Sequence, residues 1–288
     1  MMRLEKVELL EDTLLLLDRG EYLYEGRPVK LKLTREQMTE ARVLLPREVE
    51  MLGDALAVEP AGAPCAYFCE NEDSYAMACR RFRECGYAFS PEAQPDILVL
   101  NMANAIHPGG GVRRGATAQE EDLCRSSSLL LSLESEAARP YYTYNLALNS
   151  ALGSDAVVLS PRVEIFRHRS GETRGSSVVV SVLSCAAPVF EPGRYGLGEE
   201  GYNAAILHRI EGLLCAAAHF GYRHIILGAF GCGAFGNDAR VVSDLFKKAL
   251  TGRDYGFREV DFAVLDHTRK MRNFTEFNRN FANQEVTE

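Results

Sequence analysis

No stretch of this 288-residue chain approaches the roughly 18 to 20 consecutive apolar residues that cross a bilayer as a helix. The run Leu14–Leu17 is short and is closed by Asp18 and Arg19, so a helical membrane span is excluded. The opening residues, Met-Met-Arg-Leu-Glu-Lys, precede neither a long apolar region nor a small-residue cleavage site, which leads us to expect no secretory signal and a cytoplasmic location. Basic charge is also scarce, with 32 Lys and Arg against 40 Asp and Glu for a formal charge of −8. Broad binding of nucleic acid needs a basic surface that displaces phosphate counterions, so no sequence-specific nucleic-acid partner is expected, although a local arginine-lined cleft is compatible with this balance. The eight cysteines (65, 69, 79, 85, 124, 185, 215 and 232) contain no CxxC pair and fall mostly in apolar contexts. They read as reduced, buried thiols. Internal repeats and low-complexity tracts are missing as well. What is present is 47% hydrophobic residues, ample for the core of one large α/β domain or of a domain with an extension.

The first 60 residues read as an N-terminal helical extension. Thr34–Leu52 carries helix formers, with Thr34 placed to cap and Pro46 expected to interrupt. Ala61-Gly-Ala-Pro64 is the expected boundary, and residues 61–288 form the body. There a strand around Cys65–Cys69 is followed by a helix from Ser74 to Cys85. Asp96-Ile-Leu-Val-Leu100 has the continuous apolar character of a strand buried on both faces. Ile206, Ile210, Leu213, Leu214 and Ala217 recur at helical spacing, His224–Leu227 is a short buried strand, and Asp238–Leu250 resumes a helix. Such alternation predicts an α/β mixed sheet with helices on both faces.

The densest chemistry follows the strand at 96–100. Gly109-Gly110-Gly111 can adopt φ > 0 and bring backbone N–H groups close to a ligand, so this stretch is either a flexible turn or a loop that cradles a diphosphate. Seven residues later, Val112–Ala118 having passed, come Gln119, Glu120 and Glu121. Adjacent carboxylates cannot both be cheaply ionised in a dry cleft, and one pKa should rise toward the range of a general acid. A helix N-terminus near Gln119 pulls the other way. The site would lie between the carboxyl end of a strand and the start of a helix, where open α/β sheets bind ligands.

Other positions carry two readings each. Gly228–Gly236 links a strand to a helix, and is either a tight connection or a second anion loop at a helix N-terminus; Phe230 within it could be ordinary core. In Asn71-Glu-Asp73-Ser74 the simplest role is an N-cap. Asn104, in Asn101-Met-Ala-Asn104, could satisfy loop backbone or donate and accept at a ligand. Arg113 and Arg114 are either solvated or phosphate contacts. His107 lies near the glycine triplet without a partner at ligand spacing, so no metal and no cofactor is called for.

Asn104, Gly109–Gly111 and Gln119-Glu120-Glu121 together resemble the signature of poly(ADP-ribose) glycohydrolases, a macrodomain-derived family, most of all its microbial branch. The resemblance extends to Ser160-Pro-Arg-Val163, to Val178–Leu183 leading into Ala186-Ala-Pro188, and to Gly228–Gly236. It covers most of the chain, and only loosely the N-terminal part. It implies a macrodomain-like fold and hydrolysis of the ribose–ribose bonds of poly(ADP-ribose), on polymer or ADP-ribosylated protein, with ADP-ribose as product. By the same resemblance Glu121 is general acid and base, Glu120 positions ribose and Gln119 shapes the site. Asn104 would contact a ribose hydroxyl, Gly231 and Gly233 would let the ligand approach backbone, Phe235 would pack on the distal ribose, and Asp73 would contact adenine. The competing expectations are a noncatalytic ADP-ribose reader and a mono-ADP-ribosyl or O-acyl-ADP-ribose hydrolase.

Overall fold

In the computed structural model, which describes residues 2–55, 65–150 and 152–282, the chain opens with helix α1 (Arg3–Arg19) and an antiparallel hairpin of β1 (Glu21–Tyr24) and β2 (Arg27–Lys30). Helix α2 (Arg35–Met38), strand β3 (Arg42–Leu44) and helix α3 (Pro46–Ala55) follow. Next come β4 (Ala66–Glu70), α4 (Ser74–Glu84), β5 (Ile97–Met102), α5 (Gln119–Ser126), α6 (Leu129–Leu133) and α7 (Arg139–Leu148). The long strands β6 (Val157–Arg167) and β7 (Thr173–Cys185) precede α8 (Glu199–His219), β8 (His224–Leu227), α9 (Ala239–Gly252), β9 (Glu259–Ala263) and α10 (Arg272–Phe281).

Seven strands form one mixed sheet in the order β3-β6-β7-β5-β8-β9-β4. The pairs β3/β6 and β6/β7 are antiparallel, whereas β7/β5, β5/β8, β8/β9 and β9/β4 are parallel. Strand β5 lies at the middle, which is why Ile97–Leu100 is apolar at every position. Leu98 and Leu100 face the core that holds Ile210, Phe246 and Phe262. Ile97 and Val99 face the opposite core, with Met77, Leu129 and Tyr141. The sheet is thus covered on both sides, α8–α10 lying on one face and α4–α7 on the other.

The N-terminal stretch differs from the single interrupted helix expected over 34–52. Thr34 does cap, exchanging hydrogen bonds with Gln37, but α2 stops at Met38. Arg42–Leu44 then pairs with Val157–Leu159 as an edge strand. Pro46 does not break a helix; it is the first residue of one, where its missing N–H leaves no bond unmade. Residues 2–55 therefore mix three helices with a hairpin and a strand of the main sheet, and the Ala61–Pro64 boundary lies outside the described residues. All eight cysteines are unpaired, with Cys85 exposed and Cys65 and Cys232 half-buried. Among the described residues no helix is long and apolar enough to cross a membrane.

The hairpin, β9 and α10 had not been anticipated. The last two finish the sheet: Phe262 of β9 is fully buried and stacks on Phe281 of α10 with ring centroids 4.0 Å apart. Removing this ring leaves a void between sheet and helix. Phe262→Ala is expected to lower the unfolding free energy by about 3–5 kcal/mol, read as a fall in the urea midpoint by circular dichroism.

Candidate active site

Strands β4, β5, β8 and β9 run in one direction, so their carboxyl ends share an edge of the sheet. From that edge leave the loops that enter α4, α5, α9 and α10. Between them opens a cavity of about 700 Å³, within the usual range for small-molecule sites. Of the residues singled out from sequence, Asp73, Gln119, Glu121, Gly231, Gly233 and Phe235 line it.

The first turn of α5 supplies its centre. Gln119 is fixed on both sides of its amide: the Met102 N–H donates to Oε1 (2.8 Å), while Nε2 donates to the Leu100 carbonyl (2.7 Å) and to Ser74 Oγ (3.1 Å). Glu120 points inward and is 3% exposed. The Asn104 N–H donates to its Oε2 (2.8 Å) and Asn101 Nδ2 reaches its Oε1 (3.4 Å). Glu121 turns to the cavity wall. The Gly111 N–H donates to its Oε1 (2.8 Å), and its Oε2 has no hydrogen-bond partner among the described residues. One carboxylate oxygen is anchored by main chain, and the other is buried without a partner among the described residues.

Glycine is required where the loop meets these carboxylates. At Gly110 (φ +59°) a Cβ would lie 2.6 Å from Glu121 Oε1 and 2.9 Å from Glu120 Oε2. Gly109 packs over Leu130 instead. In the second loop, Gly231 (φ +73°) sits against Asn237 and Ala187, where a Cβ would collide with Asn237 Nδ2. Gly233 faces open space, so backbone there is accessible from the cavity. Phe230 is fully buried core.

The remaining candidates are placed as follows. Asp73 caps α4, its Oδ1 accepting from the Tyr75 and Ala76 N–H groups, and it also lines the cavity. Asn104 Oδ1 accepts from the Ile106 and His107 N–H groups, so its side-chain oxygen organises the loop while its N–H holds Glu120. His107 is exposed. Arg113 pairs bidentately with Glu134, and the Arg114 carbonyl accepts from Arg3 Nε (2.6 Å). Sequence reasoning passed over Asn101, Asp122, Arg169 and Asn273. Arg169, Asp122 and Asn273 line the cavity, and Arg169 Nε bonds Asp122 Oδ2 (2.7 Å). Nothing local marks Arg169 in the sequence, since the β6–β7 hairpin delivers it from 47 residues away. The apolar run Phe262–Leu265 was a legible strand signal that could have located Val264 and Leu265, which also line the cavity.

A family model described as "Microbial-type PARG, catalytic domain" matches residues 11–168. Among solved structures, the chain is similar to poly(ADP-ribose) glycohydrolase from Thermomonospora curvata, at 32% identity over 96% of this chain and 99% of that one, with a TM-score of 0.83. A structure of the T. curvata protein bound to the inhibitor ADP-HPD matches at 30% identity and a TM-score of 0.80, with the same coverage. Poly(ADP-ribose) glycohydrolase from Deinococcus radiodurans in complex with ADP-ribose is 35% identical over 88% of this chain and 98% of that one, with a TM-score of 0.75. No curated protein matches the chain. The mixed sheet expected from the sequence is the macrodomain-like fold of these proteins.

Electrostatics separates the two glutamates. Burial, against the lowering pull of the Asn104 and Asn101 donors and with a further push from Glu121, raises the Glu120 pKa to about 8. The rise expected for one member of the pair thus falls on the glutamate behind the cavity wall. In the unfolded chain Glu120 ionises near the ordinary value of 4.5, so between that value and about 8 the unfolded state binds fewer protons than the native one. Its contribution to stability is complete below pH 4.5 and is lost as pH rises through 8. Relative to Glu120→Gln, the parent should lose unfolding free energy over this window with a slope of up to roughly 1.4 kcal/mol per pH unit, measurable by urea denaturation at a series of pH values; parallel stability curves would refute the assignment.

Proposed function

The chain belongs to the microbial-type poly(ADP-ribose) glycohydrolase family, and from this we propose that it hydrolyses the ribose–ribose O-glycosidic bonds of poly(ADP-ribose), free or on ADP-ribosylated protein, and releases ADP-ribose. The observation that carries the reading is Glu121: a carboxylate on the cavity wall with one oxygen held by the Gly111 N–H and the other unpartnered.

In the proposed mechanism Glu121 enters carrying a proton and gives it to the departing ribose 2′ oxygen as the anomeric C–O bond breaks. The sugar is left with oxocarbenium character. Water attacks the anomeric carbon, and Glu121 takes back a proton as base. Ordinary glycosidases set two carboxyl groups on opposite sides of the scissile bond. That division of labour is not available here, because Glu120 is enclosed by Asn101 and Asn104 and does not line the cavity. Its role is to brace the Asn104 loop and, through that loop, to position the ribose, while Gln119 ties the start of α5 to β5. The N–H groups of Gly109, Gly110 and Gly111 are already given to Glu120, the His107 carbonyl and Glu121, so main-chain donors of the second glycine loop, at the cavity, receive the diphosphate. Phe235 packs against the distal ribose, Gly231 and Gly233 admit the ligand to backbone, and Asp73 marks the adenine end. Asn104 is assigned to the terminal ribose through the amide nitrogen that its loop bonds leave over.

The catalytic unit is residues 61–288, with residues 1–60 as a brace; all the described cavity-lining residues fall at Asp73 or later. A cytoplasmic location is part of the proposal and is supported by eight unpaired cysteines, which suit a reducing compartment.

Incubation with labelled poly(ADP-ribose) tests the reading by release of free ADP-ribose. Glu121→Gln should retain ADP-ribose binding and lose about 10² to 10⁴ in turnover; near-normal turnover would remove Glu121 from the role. Binding of ADP-ribose by the parent with no release from polymer would leave a reader rather than an enzyme. Gly110→Ala forces a methyl group against the Glu121 carboxylate, and a misplacement of this size should lower kcat by about 10² while the circular dichroism spectrum stays that of the parent.

A further inference from the structure

The edge of the sheet opposite the cavity gathers a second set of reactive side chains. His224 opens β8, Glu259 opens β9, and the two are partners in the parallel register. Cys85 caps the carboxyl end of α4 beside them. One ligand atom from each of Cys85, His224 and Glu259 lies within 4.8 Å of the other two, and among the described residues this is the one group of its kind. His224 Nε2 and Glu259 Oε1 are 3.5 Å apart.

The neighbours show which groups are already committed. Asp261 is fully buried and accepts from Arg81 Nε (3.1 Å) and NH2 (2.7 Å), and it contacts His224 Nε2 (2.7 Å). The Arg81 guanidinium is therefore spent on Asp261. It passes 3.3 Å from Glu259 Oε1 without hydrogen-bond geometry, and that oxygen is buried with no hydrogen-bond partner among the described residues. Tyr87 places its hydroxyl 3.3 Å from His224 Nδ1. An orphaned carboxylate oxygen, an imidazole and a thiol thus face one point.

We propose that Cys85, His224 and Glu259 form a binding site for a divalent cation of the zinc class, with solvent completing the coordination. Sulfur, nitrogen and oxygen donors together suit a borderline-soft ion. Bond lengths of about 2.0 to 2.3 Å put ligand atoms of a tetrahedral ion some 3 to 4 Å apart, a spacing the cluster reaches by rotation of the exposed Cys85. Asp261 holds the imidazole at Nε2 and leaves Nδ1, near the Tyr87 hydroxyl, as the ligating nitrogen, the arrangement of carboxylates behind metal-bound histidines. The Cys85 thiol releases its proton to solvent when the sulfur–metal bond forms. Burial and the nearby Glu259 raise that thiol's pKa, so affinity should climb about tenfold per pH unit while one proton is displaced. The site ties α4 to β8 and β9 and lies away from the cavity, so it bears on stability rather than on the chemistry.

The test is titration of untagged, reduced full-length protein with Co²⁺ as a spectroscopic probe and with Zn²⁺ alone. One equivalent should bind with micromolar affinity, give a sulfur-to-cobalt charge-transfer band in the near ultraviolet, and raise Tm; zinc should displace the cobalt. Cys85→Ala should remove the band and weaken binding roughly tenfold or more, and Glu259→Gln should weaken it comparably, with polymer hydrolysis unchanged in Cys85→Ala. Absence of the band, or equal affinity in Cys85→Ala, overturns the proposal and leaves the cluster as a network of Arg81, His224, Glu259 and Asp261 without a metal.

Discussion

The site depends on two main-chain N–H groups of one loop, Asn104 and Gly111, each holding a carboxylate from the first turn of α5. A backbone donor is placed by the fold and loses no side-chain rotamers when it binds. The two glutamates are therefore positioned by the same segment that joins β5 to their helix. That arrangement requires backbone and carboxylates to pack closely at Gly110, where any side chain would collide with both. It also fixes the helix start, because Gln119 is bound to β5 through both ends of its amide.

Four consecutive residues acquire four different tasks for a geometric reason. Each step along an α-helix rotates the side chain by about 100°. Gln119 meets the strand, Glu120 enters the core, Glu121 reaches the glycine loop at the cavity wall, and Asp122 binds Arg125 and Arg169. The last contact pins the tip of the β6–β7 hairpin beside the cavity. Adjacent acids, alike in sequence, thus differ in partners and access because they face different surroundings.

The two ends of the parallel strands have separate characters. Loops at the carboxyl ends are glycine-rich and open, and expose main chain to a ligand. At the other ends, side chains from α4, β8 and β9 form a compact cluster of Arg81, His224, Glu259 and Asp261. The sheet between them is apolar on both faces, and separates the charged cluster from the cavity.

Much of this was legible in one dimension. The strand at 96–100, the caps at Thr34 and Asp73, the glycine triplet and the Gln-Glu-Glu spacing are local patterns, each set by backbone conformation or by hydrophobic continuity within a few residues. The edge pairing of β3, the closure of the sheet by β9 and α10, and the arrival of Arg169 were not legible, because each depends on partners tens to hundreds of residues distant. The sequence by itself determined which groups are available for acid–base chemistry and which stretches of main chain can come close to a phosphate. Only the tertiary structure decided that Glu120 is sealed behind the wall and Glu121 forms part of it, since desolvation and access are properties of what packs around a carboxylate and not of the residues beside it in the chain.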